Sequence, residues 1–216
     1  MQPDKGRIEV LGRDLAKLSE SELRELRTHI GMLFQHAALF DSMTVLENVA
    51  FPLVERGEMS RRKAQQKASE LLDKLRLTEV KDSPASEISS GQKKRVSLGR
   101  ALISEPELII YDEPTTGQDP ILSKYVEEMV VETQENFDLT SIVISHDMAS
   151  TFRIGDKVAL LHKGELIVPE TPQDMLEMED ERVREFVFAS EVADTSGRRD
   201  ERQQARDERR EEMRGS

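Results

Sequence analysis

Two adjacent carboxylates, Asp112 and Glu113, follow a run of four apolar residues, Leu108 to Tyr111, and precede a proline. A short apolar run of this kind predicts a strand that is buried on both faces. Its end would hold the carboxylates at the edge where open parallel sheets bind ligands. Two acids are costly to desolvate there unless a cation or a proton transfer compensates them. Asp112 is therefore a candidate to hold or orient Mg²⁺, and Glu113 a candidate to position or deprotonate a water.

Polar residues also follow two other predicted strands. Gln35 comes after the run Ile30 to Phe34, and His146 comes after the run Ser141 to Ser145, both of which we expect to be buried. The carboxyl ends of parallel strands lie on one edge of a sheet, so these residues and the acidic pair can converge on one ligand. Each has a simpler alternative, since the acidic pair could be a polar turn, Gln35 a strand cap and His146 a hydrogen-bonded structural residue. Three coinciding strand ends favour a common site.

Strands and helices alternate along the chain. We expect strands at residues 7–12, 30–34, 108–111, 141–145, 158–161 and 165–168, and helices at 19–27, at 44–50 with a break near Pro52, from Ser60 to Leu75, after Gln92, and at 121–135. The alternation predicts an α/β fold with a mostly parallel sheet, and the Lys163-Gly164 turn between the last two strands predicts an antiparallel edge. Residues from about 40 to 100 read as an inserted helical subdomain of one domain that spans residues 1–193.

Composition argues against several classes of protein. The 43 acidic and 31 basic residues give a net charge of -12, which disfavours nucleic acid as a partner. There is no cysteine for a disulfide or a thiolate metal site, and the four histidines lack the spacing of a zinc hydrolase. Without a bilayer-length apolar run or a signal peptide, we expect a soluble, cytoplasmic protein. The charged tail at 194–216 is expected to be disordered or a solvated helix.

Taken together, these motifs resemble the nucleotide-binding subunit of ABC transporters, from about Pro3 to Phe188. The apolar run with Asp112 and Glu113 matches the Walker B pattern of that family. The resemblance implies that Asp112 supports Mg²⁺ and that Glu113 is the general base. It also implies that Gln35 contacts the metal or the attacking water, and that His146 contacts the γ-phosphate of ATP. These roles agree with the electrostatic interpretation of the acidic pair.

A second set of residues matches family motifs that act across a dimer. Ile88-Ser89-Ser90-Gly91-Gln92 matches the signature motif, usually Leu-Ser-Gly-Gly-Gln, and Ser90 departs from the usual glycine. A serine hydroxyl, glycine N–H and helix start can bind an anion. The resemblance implies that Ser89, Ser90, Gly91 and Gln92 bind the γ-phosphate of ATP held by the opposite subunit. Asp119 would be the D-loop acid that reaches across the dimer. The alternative for the signature segment is a turn with a helix N-cap.

The phosphate-binding loop G-x-x-x-x-G-K-[ST] is absent from the sequence. In the family this loop comes just before the turn that Pro3 to Ile8 matches. We therefore expect an N-terminally incomplete product that starts at an internal methionine, and the alternative is a natural subunit that has lost the loop. That loop supplies a nest of N–H groups, a lysine and a hydroxyl to the phosphates and the metal. We expect this chain alone to bind little ATP and to be inactive.

Two short segments narrow the resemblance. Phe34 to Val45 and Gly117 to Pro120 look like the ATPases of Mce-associated lipid transporters, of the outer-membrane lipid asymmetry and toluene tolerance types. Apolar residues such as Leu39, Phe40 and Met43, together with Val45, would then face a coupling helix of a permease. Their alternative is to pack inside the helical subdomain.

The resemblance implies a RecA-like P-loop NTPase core with an inserted helical subdomain. The expected function is ATP- and Mg²⁺-dependent hydrolysis that drives lipid transport. Its expected partners are a second ATPase subunit, as a homodimer, and an integral-membrane permease at the inner face of the cell membrane. Two other classes stay open. One is a non-hydrolysing regulatory or interaction subunit of such a complex, and the other is a soluble relative that acts in translation or DNA repair.

Overall fold

The computed structural model describes residues 3–35, 37–117, 119–169 and 171–189, with side chains up to Val187. The chain forms two compact units, one that ends at Ile144 and one that begins at Ser145. The charged tail expected at 194–216 lies outside the described residues. Among the described helices, none has the length and apolar character needed to cross a membrane.

The first unit contains the central sheet and most of the helices. Its elements, in chain order, are β1 (Glu9–Val10), β2 (Arg13–Asp14), α1 (Glu20–Thr28), β3 (Ile30–Leu33), α2 (Val45–Glu55), α3 (Arg61–Lys74), α4 (Ser90–Leu102), β4 (Leu108–Asp112), α5 (Pro120–Phe137) and β5 (Thr140–Ile144). In the second unit the elements are α6 (Met148–Ile154), β6 (Leu160–His162), β7 (Glu165–Ile167), α7 (Pro172–Glu177) and α8 (Glu181–Ala189). The three helices of the second unit were not predicted from the sequence.

Strands β3, β4 and β5 form a parallel sheet with β4 in the middle. Leu33 of β3 lies opposite Tyr111 of β4, which in turn lies opposite Val143 of β5. Because all three strands run in the same direction, their carboxyl ends lie along one edge. The parallel α/β architecture predicted from the alternating elements is therefore confirmed.

The two faces of this sheet differ in burial. On one face Leu33, Ile109 and Tyr111 are each 0% exposed, and α4 packs so closely that a Cβ at Gly31 would lie 2.9 Å from the Ala101 carbonyl oxygen. The other face is open, since Met32, Ile142 and Ile144 are 40%, 47% and 49% exposed. The prediction that β3 and β5 are buried strands is thus wrong for this face. An apolar run indicates that a strand can be buried. Whether each face is covered depends on helices from other parts of the chain.

Helix starts follow the sequence signals closely. Ser19, Thr44 and Ser89 each accept a hydrogen bond from the N–H three residues on, and each forms a reciprocal capping box. Ser60 occupies the N-cap position of α3, as expected, but its side chain makes no capping hydrogen bond. The predicted break near Pro52 is wrong, because α2 continues to Glu55. The proline removes one hydrogen bond of the helix, and the burial of one face of α2 compensates for that loss.

Both antiparallel hairpins form separate two-stranded sheets. Residues 7–12 were expected to form one strand, but Leu11 and Gly12 have φ values of 49° and 74° and turn the chain from β1 into β2. Positive φ at both central residues is the geometry that a two-residue hairpin turn requires. Lys163 and Gly164, at 49° and 84°, turn β6 into β7 in the same way. The second hairpin is therefore present, but the prediction that it forms an antiparallel edge of the parallel sheet is wrong for the described residues, in which β6 and β7 form a sheet of their own.

The second unit has its own apolar core. Its buried residues are Met148, Phe152, Val158, Leu160, Met175 and Val183. Arg182 of α8 donates to carboxylate oxygens of Glu165 at 2.5 Å and of Asp180 at 2.6 Å. The hydrogen bonds from Arg182 hold the pKa of Asp180 down at about 2.

Candidate functional site

Asp112 and Glu113 lie at the carboxyl end of the central strand. Asp112 is the last residue of β4 and pairs in register with Ile144 of β5. Glu113 turns the chain with a φ of 48°, in the left-handed region that non-glycine residues seldom adopt. Its N–H donates to the Ile144 carbonyl at 2.9 Å, and the Thr116 hydroxyl donates to its carboxylate Oε2 at 2.7 Å. The Glu113 carboxylate is thereby oriented within a strained turn, which is a feature common at functional sites.

Gln35 lies at the same edge of the sheet as Glu113. Leu33 and Tyr111 are paired across β3 and β4, and Gln35 and Glu113 each come two residues after these partners. The register therefore places Gln35 and the acidic pair at the same edge of the sheet, and their contact with a common ligand stays a prediction. The backbone carbonyl of Gln35 accepts a hydrogen bond of 2.5 Å from Nζ of Lys94. Burial lowers the pKa of this lysine.

His146 follows β5 and belongs to the second unit. The N–H of its neighbour Asp147 donates to the Ser145 hydroxyl at 3.0 Å, and the Asp147 carboxylate caps α6 by accepting from the Ser150 N–H at 3.0 Å. His146 thus stands between a strand and a capped helix. Its convergence with Gln35 and the acidic pair stays a prediction.

The predicted signature segment forms the start of α4. The Ser89 hydroxyl accepts from the Gln92 N–H at 3.3 Å, and the Gln92 side chain accepts from the Ser89 N–H at 2.9 Å. The N-cap alternative is therefore observed. It does not remove the capacity to bind an anion, because the Ser89 hydroxyl keeps its own proton as a donor. The N–H groups of Ser90 and Gly91 belong to the first turn, where helices leave N–H groups without partners inside the helix.

Asp119 is the N-cap of α5. Its carboxylate accepts from the N–H groups of Ile121 and Leu122 at 2.9 and 3.1 Å. A Cβ at Gly91 would meet Leu122 at 3.9 Å and Tyr125 at 4.0 Å. The signature segment therefore packs against the first turns of the helix that Asp119 caps. Two groups of residues for which the resemblance implies separate roles across a dimer therefore lie close together in this chain.

The oxygen donors at the sheet edge suit Mg²⁺. This ion is commonly held by one or two carboxylates together with waters and substrate phosphates, and it rarely needs a complete protein cage. Asp112 offers a carboxylate at the end of β4, and Gln35 offers an amide oxygen two residues after the end of the adjacent strand β3. No cluster of three or more His, Cys, Asp or Glu side chains suited to a metal occurs in the part of the chain that the structure describes.

Two residues of this region were not predicted from the sequence to belong to the site. Thr116 contacts the Glu113 carboxylate from three residues away, and a hydroxyl at that spacing in a turn was an available signal. Lys94 contacts Gln35 from 59 positions along the chain. Its sequence signal was a lysine inside an otherwise apolar helix face, and its partner depends on tertiary packing.

Comparison with known proteins connects this geometry to a family. The family model described as ABC transporter matches residues 1–116. The chain is 40% identical over 166 residues to the methionine import ATP-binding protein MetN of Lacticaseibacillus paracasei, covering 77% of this chain and 47% of that protein. It is 35% identical over 187 residues to the intermembrane phospholipid transport system ATP-binding protein MlaF of Haemophilus influenzae, covering 87% of this chain and 71% of that protein. The chain thus spans about half the length of MetN.

Solved structures agree with the fold. CbiO1 of Clostridium perfringens, described as part of the ABC transporter complex cbiONQ, superposes with a TM-score of 0.74 at 28% identity, over 87% of this chain and 74% of that one. The dimeric ATP-binding cassette MJ0796, in a post-hydrolysis state with ADP and Pi, gives a TM-score of 0.66 at 29% identity, over 79% and 75% of the two chains. The predicted P-loop NTPase fold is confirmed. Sequence motifs, sheet topology and relatives all agree, and the chain belongs to the ABC transporter family as an ATP-binding domain.

Proposed function

We propose that this chain is an ATP-binding and ATP-hydrolysing subunit of an ABC transporter. The observation that supports this most is Glu113, which lies at the carboxyl edge of the parallel sheet with its carboxylate oriented by Thr116. A carboxylate held in this way can take a proton from an attacking water. Asp112 and Gln35 would hold Mg²⁺, which stabilises the charge on the phosphates when it is bound. His146 would contact the γ-phosphate.

The signature segment and Asp119 would serve the ATP of a second copy. Ser89 to Gln92 offer a hydroxyl and first-turn N–H groups, which bind anions well. MJ0796, a relative in structure, is dimeric with ADP and Pi. We propose a homodimer in which each chain lends Ser89, Ser90, Gly91 and Gln92 to its partner's nucleotide.

A groove lined in part by Phe34 and Phe40 supports a permease as the other partner. It has a volume of about 390 Å³ and lies between β3, α2 and α4. Met32, Phe34 and Phe40 in its wall are 40%, 44% and 41% exposed, and Arg56 and Arg100 also line it. An apolar helix suits such a lining. The permease would hold the chain at the cytoplasmic face of the cell membrane.

The four apolar residues expected to face a permease differ in burial. Val45 is 0% exposed, so the expectation that it faces a permease is wrong at this position, where internal packing is observed. Phe40 stands in the wall of the groove. Leu39 and Met43 are half-buried.

We propose a lipid as the transported substrate. The resemblance of residues 34–45 and 117–120 to lipid-transporter ATPases supports it, as does the similarity to MlaF, which is named for intermembrane phospholipid transport. The similarity to MetN, named for methionine import, supports the competing substrate. Expression of the chain with a lipid permease and, separately, with a methionine permease, followed by co-purification, distinguishes the two proposed substrates. Assembly with the methionine permease alone would contradict the lipid proposal.

One sequence observation favours a second candidate function. The sequence contains no G-x-x-x-x-G-K-[ST] loop, and that loop supplies most of the phosphate contacts in related ATPases. A regulatory subunit could lend its signature segment to a complete partner without hydrolysing ATP itself. Nucleotide titration measures how much the absence of this loop weakens ATP binding. We expect little ATP binding by this chain alone, and micromolar affinity would contradict that expectation.

A substitution in the assembled complex decides between the two functions. In a complex of the chain with its permease, Glu113→Gln should lower ATP hydrolysis by about 100-fold or more while ATP stays bound, because the general base is lost. Glu128→Gln, an exposed change on α5, is the matched control. Full hydrolysis with Glu113→Gln would refute the catalytic role. If Ser89→Ala lowers ATP hydrolysis by the complex whereas Glu113→Gln does not, the regulatory function is supported.

A further inference from the structure

Two cations of α4 hold the loop that follows Gln35. The loop, here called the Gln35 loop, comprises residues 34, 35 and 37–40. Lys94 donates from Nζ to the Gln35 carbonyl at 2.5 Å. Arg100 donates from Nη1 to the Ala38 carbonyl at 2.7 Å and from Nη2 to the Ala37 carbonyl at 2.9 Å. Three backbone carbonyls of one loop therefore bind side chains of a single helix.

The backbone of the Gln35 loop is strained where these contacts occur. Ala37 and Ala38 have φ values of 55° and 47°. In this region the Cβ of an alanine crowds the backbone, so a free loop would leave the conformation readily. The charged donors of Arg100 bind the carbonyls of these same two residues. The conformation of the loop is therefore imposed by contacts from outside it.

Lys94 is buried and Arg100 is half-buried, so both cations depend on the acceptors that the loop provides. Lys94 is only 4% exposed, and burial lowers the pKa of both Lys94 and Arg100. A buried cation is costly unless its donors are satisfied. Here the acceptors are carbonyl oxygens of the loop, so a movement of α4 that broke these bonds would leave buried charge unsatisfied. The helix and the loop are expected to move together.

We propose that Lys94 and Arg100 are positioning residues that couple Gln35 to the signature segment. The inference rests on the function proposed above. The helix that carries both cations begins at Ser90, and Lys94 lies about 6 Å further along its axis. A helix is stiff over this distance, so a phosphate bound by one end shifts the lysine at the next turn. Occupancy of the partner's nucleotide is thereby transmitted to Gln35 in this chain's own site.

Hydrogen exchange on the purified full chain tests the contacts of Lys94 and Arg100 with the Gln35 loop, without any nucleotide. In Lys94→Met and in Arg100→Met, the Ala37 and Phe40 amides should exchange about 10 to 100 times faster, the effect expected when a charge-assisted hydrogen bond is lost. The Leu98 amide inside α4 should be unchanged. Lys94→Arg should restore most of the protection, and Lys93→Met, at the adjacent lysine, should have no effect.

Three results would overturn the proposed role of Lys94 and Arg100 in holding the Gln35 loop. The first is unchanged exchange at Ala37 and Phe40 in both Met variants, and the second is the same acceleration in Lys93→Met. The third is faster exchange at Leu98 as well, which would mean that the substitution loosens the whole unit. If Lys94→Met does not fold, Arg100→Lys serves instead, because it keeps the charge but loses the forked contact to two carbonyls and should accelerate only the loop amides.

ATPase kinetics in the complex with the permease test the coupling. Lys94→Met should lower kcat about tenfold with KM within about twofold, because a displaced Gln35 affects the reacting geometry more than ATP binding. Lys94→Arg should recover part of kcat, and Lys93→Met should retain it all. If the unsubstituted complex does not hydrolyse ATP, the proposed function fails while the exchange result stands. If it does and Lys94→Met keeps full kcat, the coupling is wrong and the proposed function survives.

Discussion

Loss of the same side chain should have very different effects on the two faces of the central sheet. Ile109 of β4 is 0% exposed on the covered face, whereas Ile142 of β5 is 47% exposed on the open face. Replacing each by alanine changes the strand propensity by a similar amount, so that contribution nearly cancels between the two variants. What differs is the apolar surface removed from water and the cavity left behind.

The magnitude follows from these two exposures. An isoleucine loses three carbon atoms on conversion to alanine, worth about 2.5 kcal/mol when they are fully buried. At Ile109 a cavity adds to this, for a total loss of about 3–4 kcal/mol in the free energy of unfolding. At Ile142 the three carbon atoms are only about half buried and no closed cavity forms. We therefore expect a loss of about 1 kcal/mol in the free energy of unfolding there. The two variants should differ by about 2–3 kcal/mol.

Urea unfolding followed by tyrosine signals measures the difference. The chain has two tyrosines and no tryptophan, and both tyrosines, Tyr111 and Tyr125, lie in the first unit. Their near-ultraviolet circular dichroism therefore reports on the unit that holds the sheet. The comparison is valid if the slope of free energy against urea is the same in both variants, because only the midpoint then reflects stability.

Equal destabilisation by the two substitutions would refute the reasoning. It would show that the face around Ile142 is covered in the purified protein. A loss of less than about 1 kcal/mol at Ile109 would contradict the burial of the other face. A larger loss at Ile142 than at Ile109 would contradict the description of both faces.

Three further predictions concern polar groups. Burial raises the pKa of Tyr111 to about 12, so the folded chain keeps this phenol protonated while the unfolded chain ionises near pH 10. Stability should fall between about pH 10 and 12, and Tyr111→Phe should reduce that fall in urea titrations at several pH values. Thr116→Val should lower kcat of the complex about tenfold, less than Glu113→Gln does, because the carboxylate stays but loses its orientation. Asn48→Ala should cost about 2–4 kcal/mol in thermal unfolding, since its side chain binds the Phe40 N–H and carbonyl, whereas exposed Asn136→Ala should have almost no effect.

Local signals in the sequence were reliable where local chemistry decides the structure. The capping boxes at Ser19 and Thr44 depend on residues three apart, and both helices begin where expected. The strand ends that carry Gln35 and the acidic pair follow from apolar runs, and the register brings them to one edge. These are contacts whose partners are specified by spacing or by the direction of a strand.

Features set by distant residues could not be predicted in this way. Pro52 suggested a helix break, but packing of α2 outweighed the lost hydrogen bond. The left-handed turn at Glu113 depends on the Ile144 carbonyl of a neighbouring strand. The hydrogen bond from Lys94 to the Gln35 carbonyl joins two segments that are far apart in the sequence and meet only in the folded chain. In each case the competing influence is tertiary packing.

The open face of the sheet gives access to the acidic pair. Side chains alternate along β4, so Asp112 lies on the same face as Ile110, and its register partner is Ile144, which is 49% exposed. The opposite face, with Tyr111 at 0% exposure, is closed. A cation can therefore reach Asp112 from the open side while the closed side fixes its position. If both faces had been buried, as the apolar run suggested, the carboxylate would have been inaccessible to a ligand. The exposure that contradicts the predicted burial of β5 is what the proposed metal-binding role of Asp112 requires.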